Sequence, residues 1–292
     1  MRRNHRLTPY LFLLPAILLL GVFNLYPAVA TIAESFFGNS LNLAAGKQFV
    51  GFKNFVRVLS DPVFLTSLNV TMIFTLVINP LQTALALALA LIANQGVKGI
   101  SIFRSILLLP VAVSINVTAI VWGLMLDQNN GLFNGLLAVL GFSRQPFLGS
   151  ADQALWSIIL IMTWKAAPFY MLFFLAGLQN ISRDVVEAAQ IDGAKSWQIL
   201  WRIILPIMRP VIVFVLIIDT IGNLILFVPI YLLTNGGPRL STNLLMYETY
   251  RRGFIYGDIG AAAAMLTILL GLIGLALLVQ VMLTRLMAGR SA

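Results

Sequence analysis

The chain has 292 residues, of which 60% are hydrophobic and only 10% charged, and its mean hydropathy is +0.94. A soluble domain carries about 25% charged residues, so this is the composition of a polytopic membrane protein, and the net charge of +9 bears on topology rather than on nucleic acid. The absence of cysteine excludes disulfides, thiolate metal sites and cysteine nucleophiles, and a single histidine, His5 in the tail, argues against histidine-based catalysis or metal binding.

Taken in order, residues 1–8 form a basic tail with Arg2, Arg3 and Arg6. The apolar run at 9–37 is too long for a secretory signal and is expected to cross the membrane. Further spans are expected at 63–93, 100–126, 153–179, 207–234 and 260–286, which makes an all-α protein with six transmembrane helices in a single membrane domain, 9–288. Asn79-Pro80 and Gln82 interrupt the second span, and Ser114 and Asn116 the third. Pro80 predicts a kink; Asn79, Gln82 and Asn116 are candidates for lining a path. The last span, with its Gly260-Ala261-Ala262-Ala263-Ala264 run, reads as structural.

A charged side chain in a span needs a partner or a cavity. Lys165 lies in the middle of the fourth span and Asp219 in the middle of the fifth. At matching depth on successive antiparallel helices they can meet, either as an ion pair that locks two helices or as groups facing a substrate cavity. Asn223 falls one turn after Asp219, and Phe169 one turn after Lys165, so each pair shares a helix face. Polar edges that bind hydroxyls beside a ring that packs on C–H faces suit a sugar. No Walker loop and no internal repeat is present.

Between the fourth and fifth spans lies the only long segment with regularly spaced charge, Arg183, Asp184, Glu187, Asp192, Lys195 and Arg202. Asp184 is expected to cap a helix, with Glu187 reaching back to the cap. Gly193 should end that helix in the left-handed conformation, and a second helix should start near Ser196. If the N-terminus is cytoplasmic, eleven Lys and Arg fall inside and seven outside, with Lys165 within a span. Both termini and the 180–206 loop are then cytoplasmic.

The spacing Glu187-Ala188-Ala189, Gly193, Ile203 and Leu205-Pro206 resembles the EAA signature of the permease subunits of binding-protein-dependent ABC importers. Asp192-Gly193-Ala194 and Thr234-Asn235-Gly236-Gly237-Pro238 are similar to the maltose-type sugar permeases in particular. The resemblance implies a type I ABC importer transmembrane domain in a bacterial or archaeal inner membrane, carrying a sugar or related polyol. It makes 180–206 the coupling loop, with Glu187, Ala188, Ala189, Asp192, Gly193 and Pro206 its contact residues for an ATPase. It puts sugar contacts on the fourth and fifth spans, with Asp219 and Asn223 in the corresponding stretch; Lys165 and Phe169 join them as candidate substrate contacts on the strength of their shared helix face. The implied partners are a second homologous permease subunit, two ATPase subunits that bind ATP and Mg, and an extracytoplasmic substrate-binding protein. This chain itself should bind no cofactor and catalyse nothing. A glycerol-3-phosphate or glycosylated-polyol permease is the alternative within the class. An ion-coupled secondary carrier, with Lys165 and Asp219 as its relay, is the alternative outside it.

Overall fold

Proline positions decide where the long apolar runs of this chain break. The computed structural model describes residues 8–38 and 47–289. The basic tail with Arg2, Arg3, His5 and Arg6 lies outside the described residues. The helices are α1 (Phe12–Glu34), α2 (Lys53–Leu59), α3 (Pro62–Ala93), α4 (Ile100–Ala112), α5 (Ile115–Met125), α6 (Leu132–Val139) and α7 (Ala154–Gln179). They continue with α8 (Arg183–Ile191), α9 (Ser196–Ile207), α10 (Arg209–Leu224), α11 (Val228–Leu233), α12 (Leu245–Tyr250) and α13 (Ile259–Gly289). A two-residue antiparallel ribbon pairs Phe37–Gly38 with Gln48–Phe49.

Among the described residues, α1, α3, α7 and α13 are each long and apolar enough to cross a bilayer. Two bent pairs, α4 with α5 at 93° and α9 with α10 at 70°, bring the total to six when each pair counts as one span. The expected third span is thus bent in the middle. Val113 and Ser114 are extended there, and Ser114 caps α5 by accepting a hydrogen bond from Val117 N–H at 3.3 Å. The expected span at 207–234 is likewise not one straight helix. Pro210 cannot donate to the carbonyl of Pro206, which places a break at Met208; Pro229 forbids continuation past Ile225, so α10 ends at Leu224 and α11 begins anew. Pro80, in contrast, sits inside α3 without ending it.

The chain forms two compact units, one built from residues up to Leu65 with Thr249–Gly271, the other from Thr66–Glu248 with residues from Leu272 on. In the first, Asn54 donates to the carbonyls of Ser35 and Phe37, both at 2.8 Å. Among its described residues ion pairs join Lys47 with Glu34 at 2.6 Å, Arg57 with Asp258 at 2.9 Å and Arg252 with Asp61. In the second unit, a buried stripe on α3 (Ser67, Thr71, Phe74, Ile78, Gln82, Ala86, Ala90, Ala93) repeats every three or four residues, the period of one helix face. Its alanine end packs with Ala167, Met171, Phe174 and Leu178 of α7 and with Met208 and Val215. In lipid, close packing rather than escape from water drives such contacts, and alanine lets the helices approach.

The other end of α3 is tied to the segment after α11. Asn243 donates to Ser67 Oγ at 2.8 Å, and Leu245 N–H donates to Thr71 Oγ1 at 2.8 Å. Gly236, at φ +79°, has no room for a side chain: a Cβ there would meet Asn243 Oδ1 and the Tyr247 ring, both at 2.9 Å.

Candidate functional site

Two places in the second unit concentrate polar chemistry. The first is the segment that leaves α7. Ser182, not Asp184, caps α8: its hydroxyl accepts from Asp184 N–H at 3.3 Å, so the helix starts earlier than its first acidic residue suggests. Asp184 then falls in the first turn, where a carboxylate favours the helix N-terminus. Gly193 is left-handed, with φ +78°, and Ala194 N–H closes the helix end on the Ala189 carbonyl at 2.9 Å. α9 starts at Ser196, with Gln198 reaching back to Lys195 N–H at 2.8 Å. Glu187, Ala188, Asp192 and Gly193 are exposed and Ala189 and Pro206 half-buried. Ile191, an apolar side chain that the sequence reading passed over, is 86% exposed. Behind α8 a cavity of about 460 Å³ is lined by polar groups, among them Asn94, Gln179, Arg183 and Glu187.

The second place is a polar cluster between α3, α7, α10 and α13. Asn223 Nδ2 lies 2.8 Å from Asn79 Oδ1, 2.9 Å from Gln82 Oε1 and 2.9 Å from Asp219 Oδ1. Asn79 Nδ2 donates to Thr220 Oγ1 at 2.8 Å, and Gln82 Nε2 donates to the Met162 carbonyl at 3.0 Å. From α13, Gln280 Nε2 donates to the same Thr220 oxygen at 2.6 Å. Asp219 and Gln82 are fully buried, and Asn79 and Asn223 nearly so. Asp219 Oδ2 and Gln280 Oε1 accept no hydrogen bond among the described residues, although the Tyr170 hydroxyl stands beside the carboxyl. A buried acceptor left unpaired costs about 1–3 kcal/mol.

Asn79, Gln82, Asp219 and Asn223 are therefore brought together, whereas Lys165 is not. Its ammonium donates to the carbonyls of Pro110 at 2.5 Å, Val111 at 3.3 Å and Val113 at 2.6 Å. The expected ion pair with Asp219 does not form. The bend after α4 strands carbonyls at the negative end of a helix, and in a span no water can satisfy them, so they capture the charge. Phe169 is 40% exposed and packs edge-on against Tyr170 and Phe173. Asn116 is exposed on α5, outside the cluster.

Sequence reasoning missed Thr220 and Gln280. A lone glutamine in a 31-residue apolar helix was a usable signal, since a polar group there needs a partner.

Residues 43–289 match the family described as "Binding-protein-dependent transport system inner membrane component". The chain belongs to this family. It is 40% identical over 264 residues to the trehalose/maltose transport system permease protein MalF of Thermococcus litoralis, covering 89% of this chain and 88% of that one. It is 35% identical over 271 residues to the sn-glycerol-3-phosphate transport system permease protein UgpA of Rhizobium meliloti, covering 92% of each. A crystal structure of a bacterial ABC transporter that imports the acidic polysaccharide alginate superposes with a TM-score of 0.81 at 24% identity, over 95% of both chains. That likeness shows the fold, the type I transmembrane domain of this inner membrane component. As a member of this family the chain is a multi-pass transport subunit, not an enzyme.

Proposed function

We propose that this chain is one permease subunit of an ATP-driven importer, forming half of the path for a sugar or related polyol. The observation that carries the reading is the α8–Gly193–α9 segment within a member of this family. It presents Glu187, Ala188, Asp192 and the 86% exposed Ile191 outward on a short helix, the surface a partner ATPase would grip. ATP and Mg belong to two such partner subunits, and a second permease completes the path. An extracytoplasmic binding protein delivers the cargo, and both termini lie in the cytoplasm.

The cargo-contact residues in this reading are Asp219, Thr220 and Asn223 of α10, with Asn79 and Gln82 of α3 opposite, and the half-exposed Phe169 of α7 as the ring. In the described conformation the cluster ties α3 to α10, with Asn79, Gln82, Asp219 and Asn223 all buried. Cargo hydroxyls would replace the bonds from Asn223 to Asn79 and Gln82 as the helices part, so binding and opening are one exchange of hydrogen bonds. The names of the relatives, one for trehalose and maltose and one for sn-glycerol-3-phosphate, support a small hydroxylated cargo. Lys165 takes a supporting role, holding the bend of α4 and α5.

The test is to co-produce the chain with its genomic neighbours, purify it by a tag and measure uptake in vesicles. An ATPase subunit should co-purify, and uptake should require ATP and the binding protein. Uptake driven by an ion gradient, with no ATPase bound, would replace this reading with a secondary carrier.

A further inference from the structure

We propose that the buried cluster selects an uncharged, hydroxyl-rich cargo and rejects phosphorylated or carboxylated sugars. The inference rests on the cluster being the cargo site and concerns its charge. Along 66–93 of α3, 154–179 of α7 and 210–224 of α10, the only charged side chains are Lys165 and Asp219. An ammonium has three N–H donors. All three of Lys165 face backbone carbonyls, those of Pro110, Val111 and Val113. The cation within these stretches is therefore spent on the bend, and the next one, Arg209, stands at the first position of α10, ten residues and about 15 Å along the helix from Asp219.

The rest of the cluster is short of donors. The Asn223 amide carries two hydrogens and faces three oxygens, those of Asn79, Gln82 and Asp219. Among the described residues Gln280 Oε1 receives no hydrogen, and the Tyr170 hydroxyl stands beside the Asp219 carboxyl as a donor. A cargo that fits such a site must bring hydrogens. A sugar hydroxyl brings one and can still accept another. A phosphate or carboxylate brings only oxygens, and brings them beside the Asp219 carboxyl in a medium where like charges repel strongly.

The test uses the purified transporter assembled with its partner subunits but without its binding protein, so that only the membrane site is read. Saturation-transfer NMR would compare matched probes: trehalose with trehalose 6-phosphate, and glycerol with sn-glycerol-3-phosphate. The neutral member of a pair should bind at least about 100-fold more tightly than its phosphate. Asp219→Asn should narrow that gap about tenfold or more, and Asn223→Ala should weaken the neutral probe. Equal or tighter binding of the phosphates, with Asn223→Ala still impairing them, would overturn the charge selection and keep the site. Probe binding that ignores Asn223→Ala would overturn the site, and with it this inference. Silence from all four probes would count against both.

Discussion

The ammonium of Lys165 lies 2.6 Å from the carbonyl of Val113, at the corner where α4 turns by 93° into α5. A charge in the middle of a span is thereby explained without an acidic partner. Lys165→Met should leave the carbonyls of Pro110, Val111 and Val113 unsatisfied and cost about 2–4 kcal/mol of stability. Lys165→Arg should recover part of the loss. Thermal unfolding of the purified protein in detergent is the measurement.

The same geometry predicts independence from Asp219. In a double-mutant cycle of Lys165→Met with Asp219→Asn, the two effects should add within about 0.5 kcal/mol. A coupling well above about 1 kcal/mol would reinstate an ion pair between them.

Gly193 tests the coupling segment through its backbone. Its φ is +78° and a Cβ there would meet nothing within 4 Å, so any penalty is conformational rather than steric crowding by neighbours. Gly193→Val should cost about 1–2 kcal/mol locally and misplace α8 relative to α9. Glu187→Lys should leave insertion intact. Each should abolish uptake and loosen the ATPase in co-purification, and normal uptake in both variants would show that this segment is not the socket.

Topology can be read against a clean background because the chain has no cysteine. Ser143 and Ser196 are both exposed. Ser143→Cys should react with an impermeant thiol reagent from outside, and Ser196→Cys only after the membrane is opened. External labelling at Ser196→Cys would invert the orientation.

The helix–glycine–helix form of 183–207 was legible because it rests on local chemistry: a left-handed glycine and apolar residues at helical spacing read the same in sequence and structure. Asp219 and Asn223 could be paired by their one-turn separation for the same reason. What lay beyond reach was which helix faces which. Lys165 is the lone charge of its span and Asp219 the lone charge in the middle of the next, and depth alone suggested a pair. The competitors for Lys165 were backbone carbonyls, which no side-chain pattern announces, freed by a bend that an unbroken apolar run conceals. Asn79 and Gln82 were recognisable as polar residues in a span, but their convergence on Asn223 depends on how α3 packs against α10. Gln280 was visible in the sequence and was passed over in a helix assigned to packing.

Asn223 is the residue on which the proposed cargo site turns, since its one amide touches Asn79, Gln82 and Asp219 at once. The decisive measurement is uptake of labelled substrate by vesicles containing the assembled transporter with Asn223→Ala, alongside its ATP hydrolysis. The variant should assemble with its ATPase and hydrolyse ATP, yet transport at least about tenfold more slowly or with altered substrate preference. Wild-type rate, affinity and preference in the same vesicles would show that the cargo does not pass through this cluster.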